Sequence, residues 1–140
     1  GSALFHLVTS PSLALSHQRL DGLSAPRLET CREILGQIRG TLAEAPASLL
    51  GRELGWTAAA LDLGAEIGLN RLAFGASEST EELPADVRRR LANRMDRLVE
   101  GHGALWAARS RPGGSAESRS VLETARAALL ADTPPNVDGE

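Results

Sequence analysis

Lysine and tyrosine are absent from this 140-residue chain, and its aromatic side chains are limited to two Trp and two Phe. There is one cysteine, Cys31, which excludes a disulfide framework or a cysteine-based zinc site within a single chain. Because Cys31 falls within an apolar helical stripe, we expect it to act as a small buried hydrophobe. The chain is therefore poor in the residues most often used to hold ligands.

β-Branched aliphatic residues are also few. Val and Ile together number eight, against 23 Leu and 22 Ala. Leu and Ala favour helices, whereas Val and Ile favour strands. A chain of this length buries a sizeable core without disulfides or metal, so the composition predicts a single all-α domain.

The chain lacks an excess of positive charge and any long apolar run. Its net charge is −3 at pH 7, and all fifteen basic residues are Arg, which gives no electrostatic reason to expect nucleic acid or an anionic membrane as a partner. No apolar run approaches the roughly 18 residues of a membrane span, and the first residues lack the basic region of a signal peptide. We therefore expect no membrane partner, no nucleic acid partner and a cytoplasmic location.

Proline and glycine breaks divide the chain into one helical domain, 1–131, and a polar tail, 132–140, that we expect to be disordered. Within the domain, a loosely helical N-terminal arm covers 1–23 and a bundle of about four main helices covers 24–131. The first helix of the arm should end at Thr9, shortly before the first proline. The arm should pack either against the rest of this chain or against a separate domain. In the second case the arm without that domain should expose an apolar patch that favours self-association, formed by Leu4, Phe5, Leu7, Leu13 and Leu15.

Two helices of different character are predicted next. One begins at a Ser24 cap and ends near Glu44, with a single apolar face of Leu28, Cys31, Leu35, Ile38 and Leu42. The other runs from Ala47-Ser48 to about Phe74 and is apolar around most of its circumference, which is typical of the central helix of a bundle. Its main stripe is Leu50, Leu54, Ala58, Leu61, Ala65 and Leu72, broadened by Trp56, Leu63 and Ile67. Gly64 and Gly68 share a face, which favours close helix packing over a ligand cleft.

The second half of the bundle contains two more predicted helices. One begins at Leu83-Pro84 and has an inner stripe of Val87, Leu91, Met95 or Arg94, Leu98, His102 and Leu105. This helix also has an exposed basic face, which comprises Arg88, Arg89, Arg90, Arg94 and Arg97. Because acidic residues interrupt it, a solvated or interdomain surface is favoured over a nucleic acid interface. The last helix is expected over Ala116–Ala131, with Ser115 as its cap.

The sequence contains no recognisable catalytic, metal or cofactor motif. His6, His17 and His102 lack the spacing of zinc ligands, and no phosphate- or dinucleotide-binding glycine motif occurs. Glu53 and Glu66 lie thirteen residues apart on one helix, too far for a pair of glycosidase carboxylates. Because His102 recurs at helical spacing with apolar neighbours, we expect it to be partly buried and hydrogen-bonded.

The most informative stretch runs from His102 to Ser118, where two arginines flank a Pro-Gly-Gly sequence close to a tryptophan. The guanidinium groups can cap helix carbonyls within a tight interhelical turn, or they can contact another domain or a ligand carboxylate. Both interpretations stay open. The candidate interdomain or ligand-contact residues are His102, Trp106, Arg109, Arg111, Pro112, Gly113 and Gly114.

This stretch resembles the segment H-x-A-L-W-x-A-R-N-R-P-G-G-L-x-D-S near the C-terminus of bacterial enzymes similar to glycoside hydrolase family 20 β-N-acetylhexosaminidases. The first five residues, Gly1-Ser2-Ala3-Leu4-Phe5, resemble the N-G-S-x-L-F that follows their catalytic barrel. Glu53-Leu54, followed by 67–72, resembles their E-L … L-G-L-x-R-L. The resemblance spans about 1–125 and departs at Ser110 and Ser115, where the family has Asn and Leu.

The resemblance implies a helical C-terminal domain without its (β/α)₈ barrel. The catalytic Asp-Glu pair of that family lies in the barrel, so no catalytic residue, metal or cofactor carries over to this chain. We therefore expect a non-catalytic accessory domain that supports the barrel of a parent hydrolase or its dimerisation. The alternative is a carbohydrate- or protein-binding module, whose aromatic platform would come from Phe5, Trp56, Phe74 and Trp106.

Overall fold

The computed structural model describes residues 3–20, 22–109 and 112–130, and within these ranges it describes every side chain except those of 106–109 and 112–119. Five α-helices and no strand occur in these ranges, which confirms the all-α prediction. The helices are α1 (Ala3–Thr9), α2 (Ala25–Glu44), α3 (Leu49–Phe74), α4 (Ala85–Arg109) and α5 (Pro112–Leu129). Short 3-10 turns occur at Gln18–Leu20 and Thr80–Glu82. The tail 132–140, predicted to be disordered, lies outside the described residues.

Serine side chains define where α2 and α3 begin. The hydroxyl of Ser24 accepts a hydrogen bond from the Arg27 amide, and that of Ser48 accepts one of 2.9 Å from the Gly51 amide. Such bonds satisfy amides that have no partner in the first helical turn. Gly75 ends α3 with a φ of 70°, a left-handed conformation that side chains other than glycine rarely adopt. Because these signals are local, the predicted ends of α2 and α3 lie within two residues of the observed ends.

The start of α5 differs from the prediction. The helix begins at Pro112 and includes Gly113 and Gly114, whereas the sequence pattern predicted a turn there and a cap at Ser115. Proline suits the first position of a helix, because its φ is already helical and it has no amide to leave unpaired. Helix α4 ends at Arg109 and α5 begins at Pro112, and residues 110–111 lie outside the described residues.

Helix α3 lies at the centre of the fold, in contact with α1, α2 and α4, while α5 packs against α4 and α1. Among the described residues, the main core cluster contains no residue of α2; its members include Leu7, Val8, Leu20, Leu63, Ile67, Leu91, Met95 and Leu129. Helix α2 packs chiefly against α3 and buries only Leu28 and Leu35. Cys31 is half-buried, and Ile38, predicted to face inward, is exposed.

Gly64 and Gly68 let α1 and α2 approach the backbone of α3. A Cβ atom added to Gly64 would lie 2.2 Å from the Leu4 carbonyl oxygen, and one added to Gly68 would lie 2.9 Å from a methyl carbon of Leu28. At Gly64 the neighbouring atoms are backbone, so a methyl group there would force α1 away from α3, whereas at Gly68 the end of the Leu28 side chain would have to shift. The prediction of close helix packing at these two residues is confirmed.

The predicted main stripe of α3 is buried only in its middle. Ala58 and Ala65 are buried, whereas Leu50 and Leu54 at one end and Leu72 at the other are exposed. The core also contains Leu63 and Ile67, from the predicted broadening of the stripe, and Ala60, which was not predicted. Apolar residues surround most of this helix, so the positions of α1, α4 and α5 decide which of them are covered.

The N-terminal arm is anchored more firmly than the sequence suggested. The Leu15 amide donates to the Ser77 carbonyl, and the Thr80 amide donates to the Pro11 carbonyl, both at 2.7 Å. Leu7 is fully buried, and the other members of the predicted arm patch are partly buried against the core, except for Phe5. The predicted exposed patch is therefore wrong, because those leucines fill the core of this same chain.

Candidate functional site

The largest polar cluster in the described part of the chain is centred on Asp62 of α3. Arg32 of α2 donates two hydrogen bonds to its carboxylate, of 2.9 and 3.3 Å, and Arg94 of α4 donates a third of 3.1 Å. Arg94 also pairs with Glu66, one turn further along α3. Two-point contact between a guanidinium and a carboxylate fixes the orientation of both groups. The cluster thus joins three helices through one carboxylate.

Burial and hydrogen bonding act on Asp62 in opposite directions. Burial by itself raises the pKa of Asp62, but the hydrogen bonds from Arg32 and Arg94 lower the pKa further than burial raises it, so the pKa lies below its ordinary value. The hydrogen bond to Asp62 correspondingly raises the pKa of Arg32. Asp62 is therefore held as an anion, which suits an electrostatic link and not a proton-transfer group near neutral pH.

A second feature is the aromatic pair of Trp56 and His102. Their ring centroids lie 5.4 Å apart, and the Trp56 indole donates a 2.7 Å hydrogen bond to the Leu98 carbonyl. His102 is buried, as the helical spacing predicted. The pair lies beside a cavity of about 230 Å³, whose other lining residues are Phe5, Thr9, Val121 and Leu122. The described lining of this cavity is mostly apolar and includes no acidic residue.

Most of the candidate residues from the stretch 102–118 lie outside the part of the chain whose side chains are described. Of that set, His102 alone has a described side chain. Arg111 lies outside the described residues, and so do the side chains of Trp106, Arg109, Pro112, Gly113 and Gly114. The predicted interdomain or ligand contact at these positions stays a prediction.

Two arginines have structural roles that the sequence analysis missed. Arg71 is completely buried and donates to the Ala76 carbonyl at 2.8 Å and the Ser77 carbonyl at 3.2 Å. Burial lowers the pKa of Arg71, and the nearby carboxylates of Glu82 and Glu78 oppose that change. An arginine in the last turn of a helix, four residues before a glycine, is the available signal, because such a side chain can bond nearby carbonyls.

Arg88 was predicted to lie on the exposed basic face of α4, and the structure corrects this. Its side chain is buried, and it donates to the Leu83 carbonyl at 3.0 Å and to the Leu129 carbonyl at 3.2 Å. It thereby links the start of α4 to the end of α5. Arg94 is also largely engaged, by Asp62 and Glu66, so Arg89, Arg90 and Arg97 are the members of the predicted face that are exposed.

Four of the large exposed aliphatic side chains of the described residues lie on α2 and the start of α3; the others are Leu72, Val121 and Leu130. Ile34, Ile38, Leu50 and Leu54 are between 43% and 63% exposed, and we call these four residues the α2–α3 apolar surface. Ile34 follows Arg32 by two residues and so lies on the opposite side of α2. Leu50 and Leu54 are displaced around α3 from Asp62 by about a third and a quarter of a turn. All four residues are thus displaced from the positions that pair in the Asp62 cluster.

The described residues contain no group of three or more side chains suited to hold a metal ion. None of the described helices combines the length and the apolar character needed to cross a membrane. Comparisons of this chain with protein-family models, with curated proteins and with solved structures find no significant match.

Proposed function

We propose that this chain is a non-catalytic helical accessory domain of a β-N-acetylhexosaminidase-like glycoside hydrolase, which packs against the catalytic barrel and supports its fold or its dimerisation. The observation that carries the proposal is the α2–α3 apolar surface. Four large aliphatic side chains, close to half exposed or more, are grouped on one helical hairpin. Apolar groupings of this kind mark interaction surfaces.

The arrangement of the polar groups supports the same role. Asp62 is paired with arginines, while Arg71 and Arg88 bond backbone carbonyls. These groups stiffen the fold and leave the apolar surface as the feature available to a partner. The resemblance of 102–118 and of the first five residues to hexosaminidase-like enzymes identifies the partner that we propose.

A mixing experiment tests this function. The chain is added to a hexosaminidase-type barrel that lacks its own helical domain, and the melting temperature of the barrel is measured. We expect an increase of about 5 °C from binding to the folded barrel. The double variant Ile38→Asp/Leu54→Asp should lose this effect, whereas Arg89→Asp/Arg90→Asp, on an exposed part of α4, should keep it.

Three results would overturn the proposal. One is a melting temperature of the barrel that does not respond to the wild-type chain, and another is an equal response to both double variants. Hydrolysis of a chromogenic N-acetylglucosaminide by the chain alone would contradict the non-catalytic role. Binding of N-acetylglucosamine oligomers that is lost in Phe5→Ala, with folding intact, would instead support the carbohydrate-binding alternative at the Trp56 and His102 cavity.

A further inference from the structure

A second cavity, of about 210 Å³, lies next to the Asp62 cluster. Arginines from two helices line it: Arg39 of α2, and Arg94 and Arg97 of α4. Its remaining lining is apolar and comes from α3 and α4: Trp56, Ala59, Leu63 and Leu98. Because Trp56 donates its indole N–H to the Leu98 carbonyl, its ring is held in place. The cavity thus combines a fixed aromatic ring with three guanidinium groups and contains no acidic lining residue.

The positive charge around this cavity is only partly neutralised. Asp62 and Glu66 are the carboxylates that pair with the nearby arginines, and Arg32 and Arg94 make the close contacts to them. Arg39 approaches Asp62 only to 3.9 Å, and its side chain is 47% exposed. Arg97 makes no hydrogen bond or ion pair with any described residue.

Counting these groups gives four guanidinium groups and two carboxylates, hence a local charge of +2. This charge lies in a recess with apolar walls, which concentrate the field of the arginines and attract anions. Guanidinium groups match the planar or tetrahedral geometry of an oxyanion and bind it through paired N–H donors. The apolar lining beside them suits a compact carbon group attached to the anion.

We propose that this cavity binds a small organic oxyanion, a carboxylate or a phosphate monoester carrying a compact ring, with Arg39 and Arg97 as its main ligands. The volume is smaller than that of typical drug-sized pockets, which restricts the ligand to a small molecule. Arg94 completes the positive wall but stays paired with Asp62 and Glu66. Binding here is separate from docking at the α2–α3 apolar surface, because the cavity and that surface involve different sides of α2.

The test uses benzoate and phenyl phosphate as probes and neutral benzamide as the matched control. With only two Trp in the chain, the Trp56 indole N–H gives an NMR signal that can be assigned and followed during titration. We expect benzoate, phenyl phosphate or both to shift this signal with millimolar affinity, and benzamide to bind at least about tenfold more weakly. The stronger of the two anions identifies whether a carboxylate or a phosphate is preferred.

Two variants locate the binding. Arg39→Gln and Arg97→Gln should each weaken the anion by about tenfold, whereas Arg90→Gln, an exposed residue outside the cavity lining, should not change it. All three positions are exposed, so folding should be retained, and circular dichroism checks this. The proposal is overturned if neither anion shifts the Trp56 signal at about 50 mM, if benzamide binds as well as the anions, or if both cavity variants bind like the wild type.

Discussion

The two halves of α3 have similar apolar content but different surroundings. In the first half, the side chains of Leu50 and Leu54 are 63% and 50% exposed. In the second half, Leu63 and Ile67 are at most 1% exposed. Leu63 and Ile67 belong to the core cluster that includes residues of α1, α4 and α5, whereas Leu50 and Leu54 lie outside it. Helix α2 contacts both halves, at Gly55 in the first and at Asp62 and Gly68 in the second. The comparison teaches that apolar residues on one helix become core or interface according to which elements reach them.

The largest difference between the halves should appear when a leucine in each is truncated. We expect Leu63→Ala to lower the free energy of unfolding by about 3 kcal/mol, because it leaves a cavity in a fully packed site. Leu54→Ala removes a side chain that is already half in water, so its cost should stay below about 1 kcal/mol. Urea unfolding of the two variants measures the contrast, and equal losses would show that the two halves do not differ in packing.

Glycines provide a second, slightly smaller contrast. Gly64→Ala places a methyl group against the Leu4 backbone, so α1 must move away from α3, and we expect a loss of about 2 kcal/mol. Gly36→Ala, in α2, meets no atom within 4 Å and should stabilise the protein by about 0.5–1 kcal/mol through helix propensity. Thermal melts of both variants measure the loss of stability in one and the gain in the other. A Gly64→Ala protein as stable as the wild type would refute the close approach of α1.

The smallest effect concerns the link between α2 and α3. Asp62→Asn should cost about 1 kcal/mol at pH 7, since Arg32 is partly exposed and Arg94 keeps Glu66. The folded pKa of Asp62 is lowered, so the stability from its charge is present above about pH 4 and is lost as the pH falls through the folded pKa.

The difference in unfolding free energy between wild type and Asp62→Asn should therefore shrink in acid, which denaturation at several pH values measures. Glu33→Gln, an exposed change on α2, serves as the control. A gap between wild type and Asp62→Asn that is constant from pH 7 to about pH 3 would exclude a lowered pKa for Asp62.

Features encoded by neighbouring residues could be predicted from the sequence. The abundance of Leu and Ala gave the all-α class, and Ser24 and Ser48 marked helix starts because a hydroxyl cap acts within its own first turn. Gly64 and Gly68 predicted close packing because glycines four residues apart lie on the same face of a helix, where the absence of side chains lets a neighbouring helix approach. In α4, the periodic stripe left Met95 and Arg94 as alternatives, and the structure places Met95 in the core.

Features that depend on distant residues could not be predicted. The partners of Asp62 lie about thirty residues away in both directions, on two other helices, and no local spacing records them. Arg88 was predicted to be a surface residue, and the burial of Arg71 was not predicted. The acceptors of both are backbone carbonyls, whose positions cannot be read from residue types. The sequence pattern also could not predict which side of α3 is exposed, since periodicity cannot choose among faces that are all apolar.

The hydrogen bonds between the arm and the segment that follows α3 limit which insertions and deletions these two segments can tolerate. The hydrogen bonds Leu15–Ser77 and Thr80–Pro11 join the segment after α1 to the segment after α3, and neither segment is α-helical. Arg71 also donates a hydrogen bond to a backbone carbonyl of the second segment. Loops usually tolerate insertions and deletions, but tolerance depends on whether their backbone is buried and bonded. An insertion in either stretch would displace the other, so relatives that keep this fold should vary the two lengths together or not at all.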